Sequence, residues 1–312
     1  MHITDRWVVE RRGGKALLDP ARPYGAFWEE ECDASGAPVS TAVVLLTNRE
    51  CPFRCVMCDL WMHTLDEPVS AGAIAGQIRH ALAMLPPARQ IKLYNAGSFF
   101  DPGAIPPSED EEIAGVVAGF ERVIVEAHPA FLAGVHAERC LRLQRAIGGQ
   151  LEVAIGLETA HPEVLARLNK RMTLDAFRRA AAFLRDHDIA LRTFILLAPP
   201  FMPEAEVEAW ACRSLVFAGE CGATVSTVIP TRGGNGAMED LGEPLVTARL
   251  DALERVVEFG LKRGVGRVFA DLWDVERFFS CRCSPQRAAR LRRMNELQQI
   301  VPRVECACDA VF

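Results

Sequence analysis

Thr41–Cys58 reads TAVVLLTNRECPFRCVMC: a run of β-branched and aliphatic residues, the short turn Thr47–Glu50, then three cysteines at C-x3-C-x2-C spacing. The apolar run predicts a buried strand that delivers the three thiols to its C-terminal end. Working outward, similar short runs stand at Gln90–Tyr94 (QIKLY), Arg122–Glu126 (RVIVE), Leu151–Ile155 (LEVAI), Leu191–Leu196 (LRTFIL), Ala223–Val228 (ATVSTV) and Arg267–Asp271 (RVFAD). Between them lie helical patterns near residues 70–85, 109–119, 136–147, 173–186, 203–218 and 246–263. A strand–helix rhythm of this kind favours parallel strands joined by crossover helices. The expected α/β fold is a partial (β/α)6 barrel over residues 41–271, with the seventh strand extending it. A doubly wound open sheet is the alternative, because periodicity does not distinguish a curved parallel sheet from a flat one. In a barrel, the loops that follow the strands share one face, where a site is assembled.

Composition sets the frame. The chain has 312 residues, 50% hydrophobic and 24% charged, enough to bury a large core. A net charge of −6 provides no global attraction to a polyanion, so nucleic acid is not the favoured partner. No apolar run reaches the ~18 residues that a bilayer span requires, and Met1–Glu10 (MHITDRWVVE) lacks a signal-peptide pattern. A soluble, cytoplasmic protein is expected. Residues 1–40, punctuated by Gly and Pro, read as an N-terminal arm lying against the barrel. Residues 272–312 read as a C-terminal extension.

Eleven cysteines are too many for a reducing compartment unless some bind metal. Cys32, Cys140, Cys212 and Cys221 are isolated and are expected in the core. Cys51, Cys55 and Cys58 cluster; three thiolates in a tight loop hold three corners of an iron–sulfur cubane. The fourth iron is then left open to chelate the amino and carboxylate groups of a small molecule. The competing reading is a zinc loop with its fourth ligand elsewhere, such as His63.

On these residues the chain resembles the radical S-adenosylmethionine (SAM) superfamily, in the branch of the elongator catalytic subunit and the methylthiotransferases, over about residues 41–235. The resemblance implies that Cys51, Cys55 and Cys58 hold a [4Fe–4S] cluster that cleaves SAM reductively. Asn95-Ala96-Gly97-Ser98 stands where the family has a Gly-Gly-Glu segment, so carbonyls there are expected to accept from the SAM amino group. Glu158, in Gly156-Leu157-Glu158-Thr159, matches the polar residue on the ribose hydroxyls. Arg171, in Leu168-Asn169-Lys170-Arg171, matches the partner of the SAM carboxylate, a task that suits a guanidinium. Phe194–Pro200 (FILLAPP) matches the segment lining the adenine, and Met57 takes a position where the family often has an aromatic residue. Within the superfamily the chain resembles the radical SAM subunit of archaeosine synthase, on Cys51–Leu60 (CPFRCVMCDL), Asn95–Asp101 (NAGSFFD), Glu126-Ala127-His128-Pro129, Asp271–Phe278 (DLWDVERF) and the late cysteine pairs.

Glu126 and His128 follow the third strand, where either could bind substrate or relay a proton. The expected function is a radical SAM enzyme acting on a small-molecule or peptide substrate, with a flavodoxin or ferredoxin as electron donor. Modification of a tRNA base is one alternative, and a non-catalytic iron–sulfur carrier or scaffold is another. Finally, Cys281-Arg282-Cys283 and Cys306-Ala307-Cys308 bracket a predicted helix, Pro285–Ile300. About 16 helical residues rise roughly 24 Å, so the pairs meet only if the chain folds back after Ile300. Val301-Pro302 permits that turn. Four thiolates there predict structural zinc or a second iron–sulfur cluster.

Overall fold

The strand–helix rhythm becomes one curled sheet in the computed structural model, which describes residues 3–242, 244–306 and 308. A short helix, α1 (Asp5–Val9), and strand β1 (Gly25–Cys32) open the chain. β1 pairs antiparallel with β2 (Pro38–Leu45), Gly25 opposite Leu45 and Cys32 opposite Pro38. Helix α2 (Ala73–Met84) then leads to β3 (Gln90–Tyr94), α3 (Asp110–Val117) to β4 (Arg122–Glu126), and α4 (Val135–Ala146) to β5 (Gln150–Glu158). Two helices, α5 (Pro162–Arg167) and α6 (Leu174–Asp186), precede β6 (Ala190–Leu197). α7 (Val207–Glu220) precedes β7 (Ala223–Pro230), α8 (Leu250–Arg263) precedes β8 (Arg267–Ala270), and α9 (Ser284–Leu297) follows. Strand order equals chain order, and every pair from β2 to β8 is parallel. The sheet is therefore the expected partial barrel with its seventh parallel strand.

Residues 25–32, read from sequence as part of an arm, form an additional strand along β2. The sheet edges are β1 and β8, and they approach each other. Arg267 donates to the Cys32 carbonyl at 2.7 Å, the Phe27 and Trp273 rings stand 5.9 Å apart, and α9 packs against both strands.

Helices bury their apolar stripes on the outside of the sheet: Ile74 and Ile78 from α2, Ile113 from α3, Phe177 from α6, Leu215 from α7 and Leu253 from α8 are all fully buried. Each such side chain contributes about 1.5–3 kcal/mol by leaving water. Of the isolated cysteines, Cys32, Cys140 and Cys221 are buried and Cys212 is half-buried.

A network of buried charges joins the strands near their N-terminal ends. Glu31 on β1 receives Lys92 of β3 at 2.5 Å and Arg192 of β6 at 3.0 Å. Arg192 also reaches Glu152 of β5 at 2.6 Å, and Arg122 of β4 reaches the same carboxylate at 2.7 Å. Such a network adds little net stability over an apolar floor, but breaking one member leaves a bare buried charge. The residues that lie across the sheet from one another are thereby specified. Among the described residues no helix is long and apolar enough to cross a membrane.

Candidate functional site

The cysteine loop leaves β2 at the end of the barrel where the parallel strands finish. Glu50, one residue ahead of Cys51, is gripped by Arg12 at 2.6 Å, Lys15 at 2.8 Å and Arg54 at 3.2 Å. The N-terminal arm thus lies over the loop, with the Arg12 guanidinium 4.9 Å from the centre of the Trp61 ring. From the other side Asn235, in the segment after β7, donates its amide to the carbonyls of Val56 at 2.8 Å and Cys58 at 3.0 Å. The Val56 N–H in turn donates to the Leu168 carbonyl at 3.0 Å. Three separated stretches of chain therefore hold the loop's shape.

Burial raises the pKa of all three loop thiols, Cys58 to about 12 and Cys55 beyond that. Bare thiols there stay neutral; a bound cation is what makes thiolates favourable. The His63 ring, the fourth ligand of the zinc alternative, stacks on Tyr24, 5.0 Å between centres.

The segment after β3 abuts this loop. Ala96 has a left-handed backbone, φ 49°, and a Cβ on Gly97 would sit 3.3 Å from Cys51 Cβ, tighter than ordinary packing. Both polar atoms of the Asn95 side chain and the Ser98 hydroxyl are buried without a partner. Orphaned buried groups are costly unless a ligand or water satisfies them. The donor set of Cys51, Cys55 and Cys58 beside Asn95–Ser98 fits an iron–sulfur cluster with a small polar ligand next to it.

Glu158 ends β5 with φ 63°, after a register shift between Gly156 and Glu158. Its carboxylate is ion-paired with Lys170. A Cβ on Gly156 would collide with both ends of that pair, so glycine leaves the space they occupy. Burial by itself would lower the Lys170 pKa; the Glu158 charge and the nearby thiols outweigh it and raise it. Arg171, expected to face the cofactor, is turned outward: its side chain is 57% exposed and paired with Asp5 of α1. The inward cation of the 168–171 segment is Lys170. Sequence reasoning missed it because Asn169 (φ 53°) and Arg171 (φ 55°) twist the chain out of any periodic register.

Glu126, at the end of β4, is half-buried. Burial raises its pKa to about 7 against the pull of the Asn95 N–H and Lys170. It sits near enough to both tyrosines of the chain, Tyr24 and Tyr94, for its charge to push their pKa values up further beyond burial. His128 is differently placed. Its ring stacks on Phe53 of the cysteine loop, 3.9 Å between centres, its Nδ1 accepts from Ala130 N at 3.1 Å, and its Nε2 meets the Lys170 carbonyl at 3.0 Å. Burial lowers its pKa to about 3. Both nitrogens are thus engaged, and the ring bridges the cysteine loop and the Lys170 backbone. Met57 is half-buried against the core. Asn235 was also missed: a single amide in a glycine-rich stretch carries no periodic signal.

At the other end of the chain, Cys281, Cys283, Cys306 and Cys308 bring their sulfurs within 4.8 Å of one another. The fold-back after the last helix, expected at Val301-Pro302, follows from Gln298, whose left-handed backbone (φ 50°) ends α9.

The chain matches no family model. The archaeosine synthase subunit beta of Methanosarcina acetivorans is 24% identical over 222 residues, which cover 68% of this chain and 64% of that protein. An uncharacterised protein of Methanocaldococcus jannaschii is 20% identical over 99% of this chain and 90% of its own length. Among solved structures, methylornithine synthase superposes with a TM-score of 0.52 at 13% identity, over 72% of this chain and 63% of that one. Coproporphyrinogen III oxidase of Escherichia coli, a radical SAM enzyme, does so with a TM-score of 0.50 at 15% identity, over 71% and 52%. The chain thus spans just under two thirds of the archaeosine synthase subunit and about half to two thirds of the two solved enzymes. It shares the fold of these enzymes, a curled sheet of consecutive parallel strands.

Proposed function

We propose that the chain is a radical SAM enzyme: Cys51, Cys55 and Cys58 hold a [4Fe–4S] cluster that cleaves S-adenosylmethionine reductively to begin radical modification of a small-molecule or peptide substrate. The observation that carries this reading is the loop itself, three thiols at the end of the first parallel strand, beside the unsatisfied polar groups of Asn95 and Ser98. When bound, cluster and SAM supply an adenosyl radical able to abstract hydrogen from an unactivated C–H bond.

The chain's own residues bind, orient and exclude water. Asn95 and Ser98, with the carbonyls of Ala96 and Gly97, receive the amino group. Glu158 lies close enough to the loop to meet the ribose hydroxyls, and Lys170, in place of Arg171, supplies the cation for the carboxylate. Met57 and the segment Phe194–Pro200 offer apolar contact to the adenine. Glu126, with its raised pKa, is the group for holding or moving a substrate proton. Electrons come from a low-potential carrier of the flavodoxin or ferredoxin class.

A second reading, modification of a tRNA base, is favoured by the similarity to archaeosine synthase subunit beta. The net charge of −6 weighs against it. Anaerobic reconstitution with iron and sulfide, reduction with dithionite and addition of SAM should yield 5′-deoxyadenosine and methionine, slowly even without substrate. Replacement of Cys51, Cys55 or Cys58 by Ala should abolish that yield. Turnover surviving in any of the three variants, or a loaded wild type that binds no SAM, would leave a carrier or scaffold as the better reading. Addition of transfer RNA separates the two substrate readings: it should leave the rate unchanged, whereas stimulation would favour the tRNA base.

A further inference from the structure

The C-terminal cysteines lie far along the chain from the cluster loop and have a different geometry. Cys281 Sγ stands 3.7 Å from Cys306 Sγ, and Cys283 Sγ stands 3.8 Å from Cys308 Sγ. Four sulfurs at about 2.3 Å from one tetrahedral ion lie about 3.8 Å apart, because the tetrahedral edge is about 1.6 times the bond. Neither pair is a disulfide, whose sulfurs stand about 2 Å apart. A cubane places its thiolates on four separate irons, from which they diverge to a wider spacing. Among the described residues this is the sole group of three or more Cys, His, Asp or Glu donors gathered within 4.8 Å.

The surroundings are built for that charge. The first pair is locked by Ser284, a buried residue whose hydroxyl accepts from Ser280 N at 3.0 Å and Cys281 N at 3.1 Å. Cys283 is the N-cap of α9, so the positive end of a 14-residue helix dipole lies beside the first pair. The Arg287 guanidinium, one turn on and paired with Glu254 at 2.6 Å, places positive charge beside the Cys306 sulfur. The second pair is delivered by a tail laid back along α9: Arg290, 3% exposed in its side chain, donates to the Val301 carbonyl at 2.7 Å and the Pro302 carbonyl at 2.9 Å.

We propose that Cys281, Cys283, Cys306 and Cys308 bind one tetrahedral zinc ion, and that this ion is structural. Four thiolates close the coordination sphere, so no position remains for water or substrate. Binding releases the thiol protons and balances without an oxidant or reductant. The ion pins the tail to the start of α9, the helix that packs on both edges of the sheet, β1 and β8. Its role is to hold the barrel's seam, apart from the chemistry proposed above.

The test uses the full chain carrying Cys51→Ala, Cys55→Ala and Cys58→Ala, which cannot assemble the loop cluster. Elemental analysis of that variant should still give about one zinc per chain. Growth with cobalt should give the red-region absorption bands of a tetrahedral thiolate Co(II) site in the same variant. Cys306→Ser with Cys308→Ser should lose the zinc and the cobalt bands while keeping the iron of the loop. Iron with acid-labile sulfide in the triple variant, one iron in place of zinc, a metal-free protein with disulfides, or zinc retained by the double variant would each overturn the proposal. Because the loop is absent from the triple variant, a failure of the zinc assignment is distinguishable from failure of the SAM reading.

Discussion

The Lys170 ammonium is ion-paired with the Glu158 carboxylate inside the barrel mouth, each side chain only about a tenth exposed (11% and 10%). One residue on, Arg171 pairs with Asp5 at the surface. Adjacent cations thus have opposite energetic weight. Lys170→Met should destabilise the protein by about 3–5 kcal/mol, since it strands a buried carboxylate. Arg171→Ala should change stability by less than about 1 kcal/mol. Urea denaturation and equilibrium dialysis with SAM should rank the variants alike, Lys170→Met far worse in both; the reverse order would mean that the inward residue is misassigned.

Asn235 links the segment after β7 to the cysteine loop through two carbonyls, those of Val56 and Cys58, while its own Oδ1 accepts from Met238 N at 2.9 Å. Asn235→Ala leaves these groups buried and unpaired, a loss of about 1–3 kcal/mol for each unsatisfied group. The expected phenotype is a chain that keeps its far-ultraviolet circular dichroism but retains less iron after reconstitution and loses it faster in air. Iron retention equal to wild type would show that the loop holds its shape without this anchor.

Buried Glu31 and half-buried Glu126 should shape stability against pH in opposite directions. Burial pushes the Glu31 pKa up, but Arg192 and Lys92 overcome that and hold it far below the carboxylate range. Its contribution is present above the unfolded pKa of about 4.5 and declines as pH falls below it. Glu126 is the reverse: with a pKa of about 7 it binds a proton more readily folded than unfolded. Wild-type stability therefore falls between pH ~4.5 and ~7 on its account. Denaturation of Glu31→Gln across pH 3–8 should show a deficit that shrinks in acid. Glu126→Gln should gain on wild type as pH rises from about 4.5 to 7 and level off above that, by at most about 3 kcal/mol. Parallel curves for both variants would contradict these placements.

The seven parallel strands were legible because each buries an apolar outer face under a helix, and Gln90–Tyr94 and Arg122–Glu126 run as the pattern predicts. β1 was not legible. Gly25–Cys32 carries Glu29, Glu30 and Glu31, and Glu31 meets a charged floor where most strands meet aliphatic residues, so the usual alternation is missing. The meeting of the two tail pairs was legible from their spacing and from Val301-Pro302 between them. The choice between Lys170 and Arg171 was not, because it depends on backbone twist at two non-glycine residues with positive φ. His128 was visible as a candidate, but its contacts with Phe53 and the Lys170 carbonyl, residues distant in sequence, were not.

The charged floor also sets an order of events during synthesis. β1 and β2 are joined by a tight connection at residues 33–37 and can pair as soon as both have left the ribosome. Glu31, however, meets Lys92 only 61 residues later, Arg192 161 residues later and Arg267 236 residues later. Its cations come from β3, β6 and β8, so the carboxylate has its full set of partners only when strands from nearly the whole width of the sheet are in place. The first strand of the chain is thereby tied to the last.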